Sequence, residues 1–249
     1  MTGNDSGATT IVRPRFSSIA DPNADPHING EYLKKNPTWH IEYSSWKAEN
    51  IHRFMERRQL RPRNICEVGC GAGEVLRQLQ LKMDPDCTFH GYDIAPAAIE
   101  MAKSKENDRL GFALQDFGQV ETPHFDLLLV LEVVDHVEDY LGFLRMLRER
   151  AEWKIFSFSL DISVQSAIRP GAFTQRREVH SHLHHFNKET ALSTLRYSGY
   201  EIVDFFYPSN IAISGLAKIA KPVRTALFKL GPDIAVRLLG GYSLMVLAR

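Results

Sequence analysis

The stretch Ile65-Cys66-Glu67-Val68-Gly69-Cys70-Gly71-Ala72-Gly73-Glu74 decides the fold of this 249-residue chain. An apolar run closes on an acid, and glycines then stand at every second position. Leu60 to Val68 ends in a β-strand pattern, and Gly73 to Leu81 reads as a helix. Between them the glycines let the backbone turn sharply and approach a ligand with no Cβ in the way. The helix that follows presents unpaired N–H groups at its start, which favour a carboxylate or a phosphate.

The spacing separates two uses of such a turn. A dinucleotide site uses G-x-G-x-x-G, whereas here the third glycine comes one place early, at Gly73, and Glu74 follows it. A carboxylate there would face a pyrophosphate badly. The pattern E-x-G-x-G-x-G from Glu67 to Gly73 instead resembles the first motif of the class I S-adenosylmethionine-dependent methyltransferases. Three later segments keep the same register. Thr88 to Asp93 is a short strand ending in a carboxylate about twenty residues after the glycines, where this architecture places the acid that accepts from ribose hydroxyls. Ala95 to Lys103 opens with Pro96 at a helix entry and is similar to the family's D-x-S/A-P-x-x-I-x-x-A segment. Leu110 to Gln115 gives a third strand with Asp116-Phe117 after it, and Phe125 to Leu131 has the length and apolarity of a strand buried on both faces.

The resemblance implies a Rossmann-like α/β fold: a seven-stranded, mostly parallel sheet with helices on both faces and an antiparallel last strand. It implies S-adenosyl-L-methionine as cofactor, with Glu67, Gly69, Gly71 and Gly73 at its methionine end and Asp93 at the ribose. Asp116 would accept from the adenine amino group, Phe117 and Ile94 would cover the ring, and Glu132 would border the same site. Ligands of open α/β sheets lie outside the carboxyl ends of the strands, where Glu67, Asp93, Asp116 and Glu132 all fall. The expected strands are 64–68, 88–93, 110–115, 125–131, 153–159, 200–206 and 242–248, alternating with helices as a parallel sheet requires. Residues 1–45 read as an N-terminal arm and possible lid, the portion up to Pro26 being poor in large apolar residues. Residues 46–249 read as the methyltransferase domain.

Composition is that of an ordinary globular enzyme. Thirty basic residues balance thirty acidic ones, which leaves no electrostatic footprint for nucleic acid. No stretch is apolar enough to cross a membrane and no signal-peptide core stands near the start, so a cytoplasmic location is expected. Three cysteines, Cys66, Cys70 and Cys87, are too few and too poorly spaced for a disulfide framework or a zinc knuckle.

Three regions outside the cofactor motifs are candidates for the acceptor site. Tyr32, Trp39, His40, Tyr43 and Trp46 concentrate rings before a helix that Ser44 or Ser45 could cap. They read either as a cover over the site or as packing for that helix. His180-Ser181-His182-Leu183-His184-His185-Phe186, if extended, places His180, His182 and His184 on one face. No carboxylate or cysteine set lies nearby, so no metal is expected, and the segment resembles the H-x-H/R-x-F stretch of small-molecule methyltransferases. His184 or His185 could take the acceptor proton. Glu132-x-x-Asp135-His136 resembles the metal-holding E-x-x-E-H of ubiquinone-biosynthesis O-methyltransferases, with Asp for the second Glu. His136 is read as a pocket residue and candidate general base, and the two acids also suit a helix N-terminus.

Before the last strand about thirty residues intervene, a helical insertion at about 209–241. Ile211 to Lys221 and Val223 to Leu239 carry apolar residues at helical spacing with Lys218, Lys221, Arg224, Lys229 and Arg237 against Asp233. Two short helices broken by Pro222, Gly231 and Pro232 are expected, serving as substrate cover, homodimer contact or membrane-surface helix. The expected activity is methyl transfer to oxygen or nitrogen of a small-molecule acceptor in a biosynthetic reaction. The alternative is a noncatalytic cofactor-binding or scaffold protein. A nucleotide-dependent oxidoreductase is disfavoured by the displaced glycine, and a nucleic-acid N-methyltransferase by Leu131-Glu132-Val133-Val134 in place of N/D-P-P-Y/F/W.

Overall fold

The computed structural model describes residue 15 and residues 24–121, 124–208 and 221–249. Most of the Met1–Pro26 arm and the first helix expected in the insertion lie outside the described residues. The strands are β1 (Asn64–Val68), β2 (Thr88–Asp93), β3 (Leu110–Leu114), β4 (Phe125–Leu131), β5 (Ala151–Leu160), β6 (Ile202–Phe206) and β7 (Tyr242–Ala248). The helices are α1 (Glu31–Lys35), α2 (Ser44–Arg58), α3 (Glu74–Gln80), α4 (Pro96–Lys103), α5 (Tyr140–Leu147), α6 (Val164–Ile168), α7 (Ala172–His180), α8 (Lys188–Tyr197), α9 (Lys221–Leu230) and α10 (Pro232–Leu238).

The seven strands form one sheet in the order β3-β2-β1-β4-β5-β7-β6. Strands β1 to β5 run parallel, and β7 inserts antiparallel between β5 and β6. The order reverses between β1 and β4, and a crevice opens there at the carboxyl ends. Strand β4 shows why both faces are covered. Leu127, Leu129 and Leu131 pack with Ile51, Phe54 and Met55 of α2 and Leu76 and Leu79 of α3, whereas Leu128 and Val130 pack with Phe143 and Leu147 of α5 and Leu195 of α8. Alternation of side chains along a strand sends a continuous apolar run to two cores at once.

Local details differ from expectation at two places. Neither Ser44 nor Ser45 caps α2. A single tight turn at Ile41–Tyr43 runs directly into the helix, and the backbone N–H of Ser44 donates to the Ile41 carbonyl. The turn's own carbonyls accept where a side chain would otherwise be needed. Pro222 does not precede a helix but sits inside the first turn of α9, where a missing N–H is harmless. The break between α9 and α10 falls at Gly231–Pro232, as its residues require.

Candidate functional site

A cavity of about 1060 Å³ opens at the carboxyl ends of β1, β2 and β4, and Glu67, Gly69, Gly71, Asp93, Ile94, Asp116, Phe117 and Glu132 all line it. Gly73 stands just behind, at the start of α3. The three motif glycines have φ of +70°, +53° and +73°, a region that L side chains rarely occupy. A Cβ on Gly69 would lie 2.5 Å from Val133, and one on Gly71 2.5 Å from the Trp39 indole. Asp93 clamps this turn: one carboxylate oxygen accepts from Gly71 N–H at 2.7 Å and the other from Ala95 N–H at 2.9 Å. Each oxygen keeps a further lone pair for a hydroxyl.

Glu67 is 2 % exposed, and its Oε2 has no partner among the described residues. Burial is the main cause that pushes its pKa up to about 8; Asp93 adds to the rise and Lys47 opposes it. An enclosed carboxylate oxygen without a donor fits a ligand that brings an ammonium group. Lys47 of α2 donates to Glu132 Oε2 at 2.7 Å, and its charge and hydrogen bond overcome burial to hold Glu132 below the usual carboxylate range. Glu132 itself is left-handed, φ +58°, a strained turn at the end of β4 that aims its carboxylate across the crevice. At the adenine end Asp116 accepts from Gly118 N–H at 2.8 Å, and the backbone N–H of Arg15 reaches its other oxygen at 2.5 Å. A donor from the arm thus stands at the carboxylate that the resemblance assigns to the adenine amino group.

The histidine segment is not extended. Helix α7 runs through His180, and Ser181 is left-handed, so the rings disperse. His180 and His182 face the cavity with His136, whereas His184 and His185 do not line it. His184 points Nε2 at the carbonyls of Val137 and Glu138, at 3.0 and 3.2 Å, and packs on Tyr140. His136 points Nδ1 at the Ser181 carbonyl, 3.1 Å away. A carbonyl only accepts, so both contacted nitrogens carry hydrogen. Burial, then the neighbouring His27 and His182, push His136 down to about 3, and it is neutral at physiological pH.

Sequence reasoning missed the carboxylate that organises this wall. Asp161, at the end of β5 and 2 % exposed, accepts at one oxygen from His182 Nδ1 at 2.6 Å and His185 Nδ1 at 3.0 Å. Its other oxygen faces Arg176 Nε at 3.2 Å. Burial alone would raise Asp161; the His182 hydrogen bond and charge, then Arg176 and His185, bring it below the ordinary value. Only folding brings residues 161 and 182 together, so local spacing carries no signal for the pair. Asp161, His182 and His185 are also the one group among the described residues with the spacing of a metal site, within 4.8 Å of one another. The Glu132, Asp135 and His136 side chains do not converge. Asp135 turns towards Ser159, with Oδ1 unpartnered, and burial followed by the Asp161 and Glu132 charges raises it well above its usual value.

Comparison with known proteins agrees with this geometry. The family described as "Methyltransferase domain" matches residues 39–204. The chain belongs to that family. Among curated proteins, ajmaline N-methyltransferase of Rauvolfia serpentina is 27% identical over 99 residues, covering 37% of this chain and 33% of that enzyme. The match therefore spans about a third of the curated relative. A Leishmania major S-adenosylmethionine-dependent methyltransferase superposes with a TM-score of 0.61 at 13% identity, over 92% of this chain and 85% of that one. Magnesium protoporphyrin IX methyltransferase of Synechocystis with bound S-adenosylmethionine gives 0.53 at 16% identity, over 91% and 86%. At such identities the likeness is one of fold. Family and sheet order together make this a methyltransferase domain of the class I, S-adenosylmethionine-dependent kind.

Proposed function

We propose that the enzyme methylates a hydroxyl of a small-molecule acceptor, with His182 as the proton acceptor. The observation that carries this is the buried Asp161–His182 pair at 2.6 Å on a ring that lines the cavity. A carboxylate on Nδ1 holds the proton there and leaves Nε2 as the basic edge, and it steadies the charge that His182 acquires. Bound cofactor supplies a sulfonium methyl. The cofactor would give that methyl to the acceptor oxygen and leave as the neutral thioether, and His182 Nε2 would take the hydroxyl proton.

The remaining residues bind and orient. Glu67 and the glycine turn receive the amino-acid end, Asp93 the ribose and Asp116 with Phe117 the base. Trp39 and Tyr32, whose ring centroids lie 5.0 Å apart, cover the glycine turn and keep water from the transfer. His136 is an ill-matched base because a conjugate acid near 3 holds a proton weakly. The Arg176 guanidinium already offsets the Asp161 charge, and one oxygen serves both histidines at hydrogen-bond lengths, which favours a proton relay over a cation.

The test is S-adenosylhomocysteine formation with panels of phenols, sugars and amines, for wild type and for Asp161→Asn and His182→Gln. The expected result is turnover with hydroxyl acceptors and a drop of roughly 10²–10⁴ in kcat in both variants, with S-adenosylhomocysteine affinity unchanged. Amine-only turnover, or full activity in His182→Gln, overturns the assignment.

A further inference from the structure

Beside the cavity stand three short helices whose outward stripes are apolar where solvent-facing stripes are ordinarily polar. On α9, Val223 and Leu230 are 69% and 87% exposed, with exposed Ala226 between them on the same stripe. On the inner side of that helix Arg224 lies over the Tyr242 ring and Phe228 stacks on it at 5.5 Å. On α10, Ile234 and Leu238, one turn apart, are 57% and 41% exposed; on α6, Val164 and Ile168, also one turn apart, are 51% and 76% exposed. These helices adjoin one another: α10 contacts both α6 and α9, and Gln165 accepts from Gly240 N–H. Gln165 of α6, Arg169 and Arg224 of α9 line the same cavity that holds His182, and α10 packs on both helices beside it.

Charge selects what this face meets. The chain as a whole is balanced, yet the exposed Arg169, Arg177 and Lys229 around the stripes have no carboxylate partner among the described residues. A second copy seated on this face would bring those cations against like charge, while an anionic lipid surface neutralises them and takes up the apolar side chains. No helix among the described residues is long and apolar enough to cross a membrane.

We propose that α6, α9 and α10 form an interfacial docking surface for an anionic membrane, and that the acceptor is an amphiphile that presents its hydroxyl to the cavity from that surface. The second clause rests on the methyltransferase reading; the first does not. An amphiphile at the interface reaches the cavity with its apolar part still in lipid, which avoids the desolvation that a dissolved acceptor of the same chemistry would require.

The experiment is flotation of the full chain with vesicles of phosphatidylcholine alone and of phosphatidylcholine containing phosphatidylglycerol, beside calorimetry with S-adenosylhomocysteine. The expected result is capture by the anionic vesicles and not the neutral ones. Val223→Ser with Leu230→Ser should weaken capture about tenfold or more, and Lys229→Glu should weaken it severalfold, with S-adenosylhomocysteine affinity unchanged in each. These positions are exposed, so the variants fold. Absence of capture by anionic vesicles, or capture indifferent to the serine pair, overturns the proposal. So does a concentration-dependent dimer abolished by the same pair, which would assign the face to a second copy. Loss of S-adenosylhomocysteine binding by the wild type with vesicle capture intact would instead sink the methyltransferase reading and leave the docking surface standing.

Discussion

Glu67 illustrates how one enclosed atom ties stability to pH and, in the proposed site, to cofactor binding. Its carboxyl titrates near the ordinary 4.5 when exposed and about 8 in the folded protein. Between those values the folded state binds the extra proton, so this group lowers stability as pH rises through that window. Glu67→Gln removes the titration, and its stability relative to wild type should grow from pH ~5 to ~8, read by denaturant unfolding. An arriving ammonium favours the ionised carboxylate and expels the proton. Binding of S-adenosylmethionine at pH ~7 should therefore release up to about one proton, seen as different binding heats in buffers of different ionisation enthalpy. Equal heats in wild type and Glu67→Gln would show that the ammonium goes elsewhere. The Asp161 set makes a second prediction at this scale. Chelation should leave turnover unchanged, because Arg176 supplies the cation; loss restored by a divalent metal would reassign the three side chains as ligands. The position of Glu67 at a strand end was legible because its acid closes an apolar run before glycines. Lys47 was not, because its role arises from the approach of α2 to the end of β4.

Element by element, the strands were legible to the residue where apolar runs meet clear breaks. The bounds 64–68, 88–93, 125–131 and 242–248 are those expected, whereas β5 is longer, Ala151–Leu160, because its edges pair with β4 and β7 beyond the apolar run. Conformation within the turns was less legible. The glycine pattern predicted a sharp turn, but the close seat of Trp39 on Gly71 comes from Trp39 and His40 both adopting left-handed backbone, φ +49° and +59°. Gly71→Ala forces a Cβ into that indole and a residue into φ +53°. It should weaken S-adenosylhomocysteine binding about tenfold or more, measured by calorimetry. An unaltered affinity would mean that the turn has room the geometry denies. Helix α8 follows the histidine segment and is fixed by a capping box, Asn187 Oδ1 accepting from Thr190 N–H at 2.9 Å. Asn187→Ala should cost about 1 kcal/mol of stability, read by denaturant unfolding.

For the whole molecule, a cofactor held as proposed, across the ends of β1, β2 and β3, should act on global stability. At a hundredfold excess over Kd, S-adenosylmethionine should contribute about 2.7 kcal/mol. For a chain of this size that raises Tm by about 5–10 °C, and a flat melting temperature would contradict the cofactor site. Sequence by itself determined the strands and the glycine turn and, through the family resemblance they carry, the fold and the methyl donor, because these are written in short segments: apolar runs, glycines at fixed spacing and acids at strand ends. Tertiary structure alone decided the acceptor side. It joined Asp161 to His182, turned His184 and His185 away, and set Lys47 against Glu132. It also brought α6, α9 and α10, with their apolar stripes, together beside the cavity. Those pairings lie 21 to 85 residues apart, and no local pattern encodes which distant side chains the closing sheet will bring within hydrogen-bond reach.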